Sequence, residues 1–298
     1  MSKIEWTEKT WNPVTGCREV SPGCQFCYAR TMHNRLRAMG QAKYGEPFHT
    51  VRFHPAALEE PLRRRKPTTW FVNSMSDLFH PALDFWDIAA VFGVMAACPQ
   101  HTFQVLTKRA DIMRAWFHWI AGADGCPPLV NCNGAALCLE VATHPDGDGG
   151  PLHTRYCADP DGPWPLPNVW VGVSAENQAT ADERVPQLLQ VPAAVRFVSA
   201  EPLLGPLELA HYMPQYCCNG DSCACRGGTT QPPPFVDWVI AGCESGPKAR
   251  PAEADWFRSI RDQCVAAGVP FFLKQMMVDG RLVKIPKLDG KAWAEMPR

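Results

Sequence analysis

The sequence of 298 residues contains no stretch of about eighteen or more consecutive apolar residues. A membrane-spanning helix needs such a stretch. The N-terminal segment MSKIEWTEKTWNP also lacks the continuous apolar core of a secretory signal peptide. From these two absences we expect a cytoplasmic protein with no membrane partner. Such a compartment keeps cysteines reduced, which disfavours structural disulfides.

The chain also has almost no net charge, since 29 Lys and Arg residues face 30 Asp and Glu residues and give −1 at pH 7. This balance excludes capture of nucleic acid by overall charge. Local basic patches remain, in LRRRKP (62–67) and RLVKIPKLDGK (281–291). No repeat of solenoid or propeller length is present. Hydrophobic residues make up 46% of the chain, as in an ordinary globular protein.

Short β-branched and aromatic runs alternate with longer helical stretches. The predicted strands are 68–74, 101–108, 168–176, 194–202, 236–246 and 269–275. The predicted helices are 84–98, with Asp84 as N-cap, 109–122, with Gly122 as its stop, 176–190 and 254–268. This alternation predicts a parallel α/β sheet within a single domain over residues 1–298. A partial (β/α) barrel and a doubly wound open sheet both fit the pattern.

Polar residues at the predicted strand ends favour the partial barrel, because barrel strands bring their carboxyl ends to one mouth. A strand end can also be polar simply because it leaves the core. The strand-end residues are Asn73, Ser74, Ser76, Asp77, Thr107, Lys108, Ser174, Glu176, Ser199, Glu201, Glu244, Ser245, Lys274 and Gln275.

Two segments without hydrophobic periodicity interrupt the alternation, at residues 123–167 and 211–234. We interpret both as cysteine-rich loop insertions rather than domains. They offer ligands for a second metal site, zinc or iron–sulfur, although surplus loop cysteines without metal fit equally. Their cysteines are Cys126, Cys132, Cys138, Cys157, Cys217, Cys218, Cys223 and Cys225.

The most informative stretch is TGCREVSPGCQFCYAR (15–30), which has the spacing C-x6-C-x2-C. A closed zinc site needs four ligands, and His33 could add the fourth to Cys17, Cys24 and Cys27. Three thiolates alone suit a 4Fe–4S cluster that keeps one iron open to another ligand. The spacing leaves both interpretations open.

The Cys24-Gln25-Phe26-Cys27 segment resembles the C-x-aromatic-C half of the radical S-adenosylmethionine signature, although the preceding spacing there is usually x3 rather than x6. Eight segments in order resemble a phage-associated three-cysteine-motif family, a domain of unknown function grouped with radical S-adenosylmethionine enzymes. They are IEWTEKTWNPVTGC, SPGCQFCYA, FVNSMSDLFH, VLTKR, NVWVGVSAENQATADERVP, VRFVSAEPLLGPL, DWVIAGCESGPKARP and DQCVAAGVPFFLKQ.

This resemblance implies a partial barrel of the radical S-adenosylmethionine type, in which Cys17, Cys24 and Cys27 hold three irons. The fourth iron would bind S-adenosylmethionine, whose reductive cleavage yields a 5′-deoxyadenosyl radical. Phe26 and Tyr28 would pack on the adenine. An ordinary role as aromatic residues of the hydrophobic core explains them equally well.

The resemblance also implies roles for the strand-end residues. Ser76 and Asp77 would bind the methionine amino group. Lys108 and Arg109 would contact the cofactor carboxylate or a substrate phosphate, although a basic pair at a helix start fits nearly as well. Ser174 and Glu176 would lie near the ribose or the sulfonium.

Three further residues are candidates for catalysis. Glu201 and Glu244 are carboxylates expected at the barrel mouth, where they would act as ligands or bases. Cys243 could return a hydrogen atom to a product radical, although the family more often has glycine there.

The expected substrate is nucleic acid or a nucleotide, by analogy with the phage association and with DNA-repair members of the superfamily. A reductant such as flavodoxin or ferredoxin, in a bacterial or phage-infected cell, would supply electrons. The alternative is a non-enzymatic zinc- or iron–sulfur-stabilised module that binds nucleic acid or protein.

Overall fold

The computed structural model describes residues 4–121, 163–214 and 234–297, and the fold is mixed α/β. Its strands are β1 Lys9–Trp11, β2 Val14–Thr15, β3 Arg52–Phe53, β4 Thr69–Val72, β5 Thr102–Thr107, β6 Val169–Ser174, β7 Val195–Ala200, β8 Trp238–Gly242, β9 Phe271–Val278, β10 Arg281–Lys284, β11 Lys287–Leu288 and β12 Lys291–Ala292. Its α-helices are α1 Tyr28–Ala38, α2 Glu59–Leu62, α3 Phe85–Ala96, α4 Ala110–Ile120, α5 Gln178–Leu188 and α6 Ala254–Ala267.

Eight strands form one sheet in the order β1-β4-β5-β6-β7-β8-β9-β10. The pairs β1–β4, β4–β5, β7–β8 and β8–β9 are parallel, whereas β10 runs antiparallel to β9. Strands that follow one another in chain order are typical of a half barrel, because a doubly wound sheet reverses its order. The predicted α/β class and half-barrel order are therefore confirmed.

All six predicted strands are present, most of them shorter than the sequence pattern indicated. The pattern missed β1, because three residues are too few to show a period. It also missed β10, whose four residues are all exposed and follow a tight turn. The prediction for Asp84 is confirmed, since it lies at the N-cap of α3 in a capping box with Asp87.

The chain divides into two compact units. The first comprises Met1–Val20, Cys27–Val171 and Val191–Ala194. Helix α3 is buried along most of its length in this unit, and the rings of Phe92 and Trp116 pack with centroids 4.4 Å apart. The second comprises Ser21–Phe26, Gly172–Gln190 and Val195–Arg298. Its core includes the fully buried side chains of Phe197, Trp238, Phe257 and Phe271.

The predicted insertions fall mainly on residues 122–162 and 215–233, outside the described residues, and so do all eight insertion cysteines and Gly122. The second metal site therefore stays a prediction. Within the described ranges, no helix is both long and apolar enough to cross a membrane.

Candidate functional site

Cys17, Cys24 and Cys27 are thiols rather than disulfides, and each is partly exposed. Cys17 and Cys27 belong to the first unit, whereas Cys24 belongs to the second. Cys17 follows Gly16, whose φ of 83° and close approach to the Thr50 carbonyl exclude a side chain. Cys24 ends a 3₁₀ turn and Cys27 is the N-cap of α1. Local backbone geometry thus sets the place of each thiol.

Polar groups lie within hydrogen-bond distance of two of these sulfur atoms. In the first unit, Arg109 Nη1 lies 3.6 Å from Cys17 Sγ. In the second unit, Ser21 Oγ lies 3.8 Å from Cys24 Sγ. Hydrogen bonds to sulfur stabilise a metal-bound thiolate and tune its metal centre.

Asp77 holds Arg109 in the first unit. Its buried carboxylate accepts hydrogen bonds from Thr107 Oγ1 at 2.7 Å, Arg109 Nη1 at 2.9 Å, and the backbone N–H groups of Phe79 and Lys108 at 3.0 and 3.1 Å. Burial opposes the charge of Arg109, but Asp77 and Cys17 outweigh burial and raise its pKa. Four hydrogen bonds occupy the carboxylate, so Asp77 orients the guanidinium that faces Cys17.

Glu176 forms a deeply buried ion pair with Arg184 in the second unit. Its side chain has no exposed surface, and it accepts hydrogen bonds from Arg184 Nη1 at 3.0 Å and Ser21 Oγ at 2.7 Å. Arg184 also donates to the carbonyl of Ser174 at 2.8 Å. The hydroxyl of Thr180 accepts the Glu176 N–H at the start of α5. Ser174 and Glu176 are thus brought together, with the Glu176 charge balanced by Arg184.

Glu244 and Arg250 form a second acid–arginine pair. Arg250 donates Nε and Nη2 to the two carboxylate oxygens at 2.9 and 2.6 Å, and its backbone N–H donates at 3.0 Å. Burial raises the pKa of Glu244, but these hydrogen bonds outweigh burial and leave the pKa below its usual value. Arg250 also donates to the Pro22 carbonyl at 2.9 Å and lies over the Phe26 ring at 5.4 Å.

Glu201 and Lys274 form a third pair, with Nζ 3.1 Å from Oε1. The register of β8 and β9 shifts between Ala241 and Gly242, which leaves Lys274 as the extra residue of a bulge. Glu201 fills the space where Gly242 would carry a side chain. The bulge and the missing side chain of Gly242 therefore allow the Glu201 and Lys274 side chains to meet beside the end of β8.

Cys243 follows β8 and is almost fully buried. Burial, together with the negative charge of Glu201, raises the pKa of its thiol to about 11. The group therefore carries its proton at neutral pH, the form that a hydrogen-atom donor requires. Gln275 Nε2 donates to the Cys243 carbonyl at 2.8 Å and fixes this strand end.

The other predicted cofactor residues lie in less specific surroundings. Tyr28 is 49% exposed and donates its hydroxyl to the Ser74 carbonyl. Ser76 donates its hydroxyl to the Val14 carbonyl at 2.9 Å. Phe26 and Lys108 are both half-buried.

His33, the alternative zinc ligand, lies inside the first unit. Its Nε2 donates to the Glu46 carbonyl at 2.8 Å, and its ring packs edge-on against Tyr44 and Phe48. Across residues 4–121, 163–214 and 234–297, no group of three or more His, Cys, Asp or Glu side chains is arranged to hold a single metal ion. These observations give a preformed zinc site no support within that part of the chain.

Sequence reasoning missed the arginines Arg184 and Arg250 and the hydroxyl of Ser21. Arg184 lies eight residues after Glu176, and Arg250 lies six residues after Glu244. These spacings match no recognised motif. The only available signal was that a buried carboxylate needs a cation, which indicates an arginine without identifying it.

The sequence profile of a family described as "Protein of unknown function (DUF5131)" matches residues 1–297. No curated protein and no solved structure matches the chain. The description of the matched family names no reaction, cofactor or host. The functional assignment therefore depends on the residues of the site.

Proposed function

The chain thus belongs to that family of unknown function, and from its site we propose that it is a radical S-adenosylmethionine enzyme acting on nucleic acid or a nucleotide. The observation that carries the proposal is the set Cys17, Cys24 and Cys27, three partly exposed thiols within eleven residues. Three thiolates and no local fourth ligand are the donor set of a 4Fe–4S cluster with an open iron.

The surroundings of the thiols fit such a cluster. Arg109 donates toward the sulfur atom of Cys17, and the Ser21 hydroxyl lies within hydrogen-bond distance of the sulfur atom of Cys24. Such polar contacts are found around the ligands of metal centres. Each thiolate of a cluster would hold a different iron atom, so the thiolates need not converge on one point. The lack of a single-ion site among the described residues is compatible with this arrangement.

When bound, the cluster would pass one electron to S-adenosylmethionine, giving methionine and a 5′-deoxyadenosyl radical that takes a hydrogen atom from the substrate. The electron would come from a flavodoxin or ferredoxin. In this proposal Lys108 binds a carboxylate or phosphate by charge. Cys243, which holds its proton at neutral pH, would return a hydrogen atom to the product radical, and the thiyl radical left behind would take an electron from the flavodoxin or ferredoxin and a proton from solvent.

Glu201 and Lys274 are the groups best suited to contact the substrate. Within the described residues neither side chain has another hydrogen-bond partner, so the pair retains spare donors and acceptors. Both are partly exposed. Glu201 follows β7 at a strand end, where α/β proteins bind ligands, whereas Lys274 lies inside β9 at its bulge rather than at the strand end that the sequence predicted. The basic strand β10 is exposed at all four residues, which suits contact with a phosphate backbone.

Electron paramagnetic resonance of anaerobically reconstituted protein tests the proposal. The reduced protein should give a 4Fe–4S signal whose g values shift when S-adenosylmethionine is added, because the cofactor would bind the open iron. The Cys24→Ala variant, which lacks one of the three thiolates, serves as the matched control and should give no such signal. Stoichiometric zinc with no iron uptake would instead support the non-enzymatic binding module and would sink the proposal.

A further inference from the structure

The segment Ser21–Phe26, which carries Cys24 and is called the cysteine loop below, has few bonds of its own. Within the described residues, its internal backbone hydrogen bonds are Cys24 N–H to the Ser21 carbonyl at 2.9 Å and Gln25 N–H to the Pro22 carbonyl at 3.3 Å. Only Gly23 is buried. Six residues with so small a buried surface need outside contacts to keep one conformation.

We infer that two acid–arginine pairs, Glu176–Arg184 and Glu244–Arg250, clamp the cysteine loop and act as positioning groups for Cys24. The role of positioning a cluster ligand rests on the proposed function. The contacts that form the clamp are observed within the second unit and do not depend on it. It differs from the direct roles expected from the sequence, in which Glu176 lies near the ribose or sulfonium of the cofactor and Glu244 acts as a ligand or base.

The first half of the clamp is Glu176. Its carboxylate accepts the Ser21 hydroxyl at 2.7 Å, and its side chain occupies the space beside Gly23 where a Cβ would stand. Arg184 prevents the carboxylate from turning away, because a fully buried charge that left its partner would be left uncompensated. The loop therefore rests against a rigid side chain.

The second half is Arg250, which contacts the cysteine loop in two ways. It donates to the Pro22 carbonyl at 2.9 Å and lies over the Phe26 ring at 5.4 Å. The hydrogen bonds that Arg250 donates to Glu244 hold the guanidinium plane, and the charge of Glu176 also acts on Arg250. A planar guanidinium can serve a carboxylate, a carbonyl and an aromatic ring at once, whereas a lysine ammonium cannot.

Hydrogen–deuterium exchange of the metal-free, reduced full-length protein tests the clamp without any cluster. In Arg250→Met and in Gly23→Ala, exchange in peptides covering residues 21–27 should rise about tenfold, because each change removes contacts that hold the loop. Arg258→Met is the matched arginine control, since Arg258 pairs with Asp255 and Asp289 on an exposed surface. Gly205→Ala is the glycine control, because its Cβ would meet only ordinary packing at 3.7 Å.

Iron binding separates this inference from the proposed function. In reconstituted protein, Arg250→Met should contain less cluster iron than wild type. Arg250→Lys should contain an intermediate amount, because lysine keeps the positive charge but cannot stack on the Phe26 ring as the planar guanidinium does. Faster loop exchange in the two clamp variants, together with a wild-type protein that binds no iron, would keep the clamp and overturn the cluster. Unchanged exchange in both clamp variants, or an equal rise throughout the second unit, would overturn the clamp whatever the iron content.

Discussion

Cys24→Ala should lower the iron content of anaerobically reconstituted protein by about four atoms per chain, the content of one 4Fe–4S cluster. Three thiolates leave no surplus ligand, so losing one should prevent stable assembly. The check is iron and sulfide analysis with the absorbance near 400 nm. Cys17→Ala and Cys27→Ala should behave in the same way, since the three thiols form one donor set.

The matched control is Cys264→Ala, which removes the same atoms from a fully buried cysteine in α6. Its iron content should equal that of the wild type. Comparison with wild type also separates this cluster from any metal held by the insertion cysteines, because only the cluster on residues 17–27 is removed. Wild-type iron content in Cys24→Ala would refute the assignment of the three thiols.

Arg184→Met should lower the free energy of unfolding by about 3–5 kcal/mol, because Glu176 would keep a buried charge without its partner. Chemical denaturation followed by circular dichroism would measure the loss. The methionine retains much of the arginine's apolar volume, so the effect reports mainly the lost pairing. A loss below about 1 kcal/mol would show that Glu176 is solvated or protonated instead.

Two comparisons sharpen this result. Arg258→Met removes an arginine from exposed pairs and should change the free energy of unfolding far less. The double variant Glu176→Gln, Arg184→Met should recover much of the loss, because no uncompensated charge remains. Equal destabilisation in the single and double variants would assign the effect to packing rather than to charge.

Most strands could be predicted from sequence because a buried strand of a parallel sheet is rich in apolar and β-branched residues. The segments Val195–Ala200 and Trp238–Gly242 are examples. Asp84 could be predicted because a helix cap is local chemistry. The strands β1 and β10 could not be predicted, since their pairing partners rather than their own three or four residues decide their structure.

The site divides in the same way. Cys17, Cys24 and Cys27 are visible in sequence because ligand spacing is local. Contact between Ser21 and Glu176 joins positions 155 residues apart, and no local pattern encodes it. Sequence reasoning placed Glu176 among the cofactor ligands. A carboxylate at a strand end gives the same sequence pattern when it faces a ligand as when it faces a buried arginine. Tertiary packing distinguishes the two cases.

The central claim is that the three thiols support reductive cleavage of S-adenosylmethionine, and formation of 5′-deoxyadenosine tests it most directly. Reconstituted, dithionite-reduced protein incubated with S-adenosylmethionine should convert it to 5′-deoxyadenosine and methionine, detected by mass spectrometry. The Cys24→Ala variant prepared identically should form neither product. Product from wild type and none from the variant is the predicted result. A wild-type protein that binds iron but forms no 5′-deoxyadenosine above the level of Cys24→Ala would contradict the account.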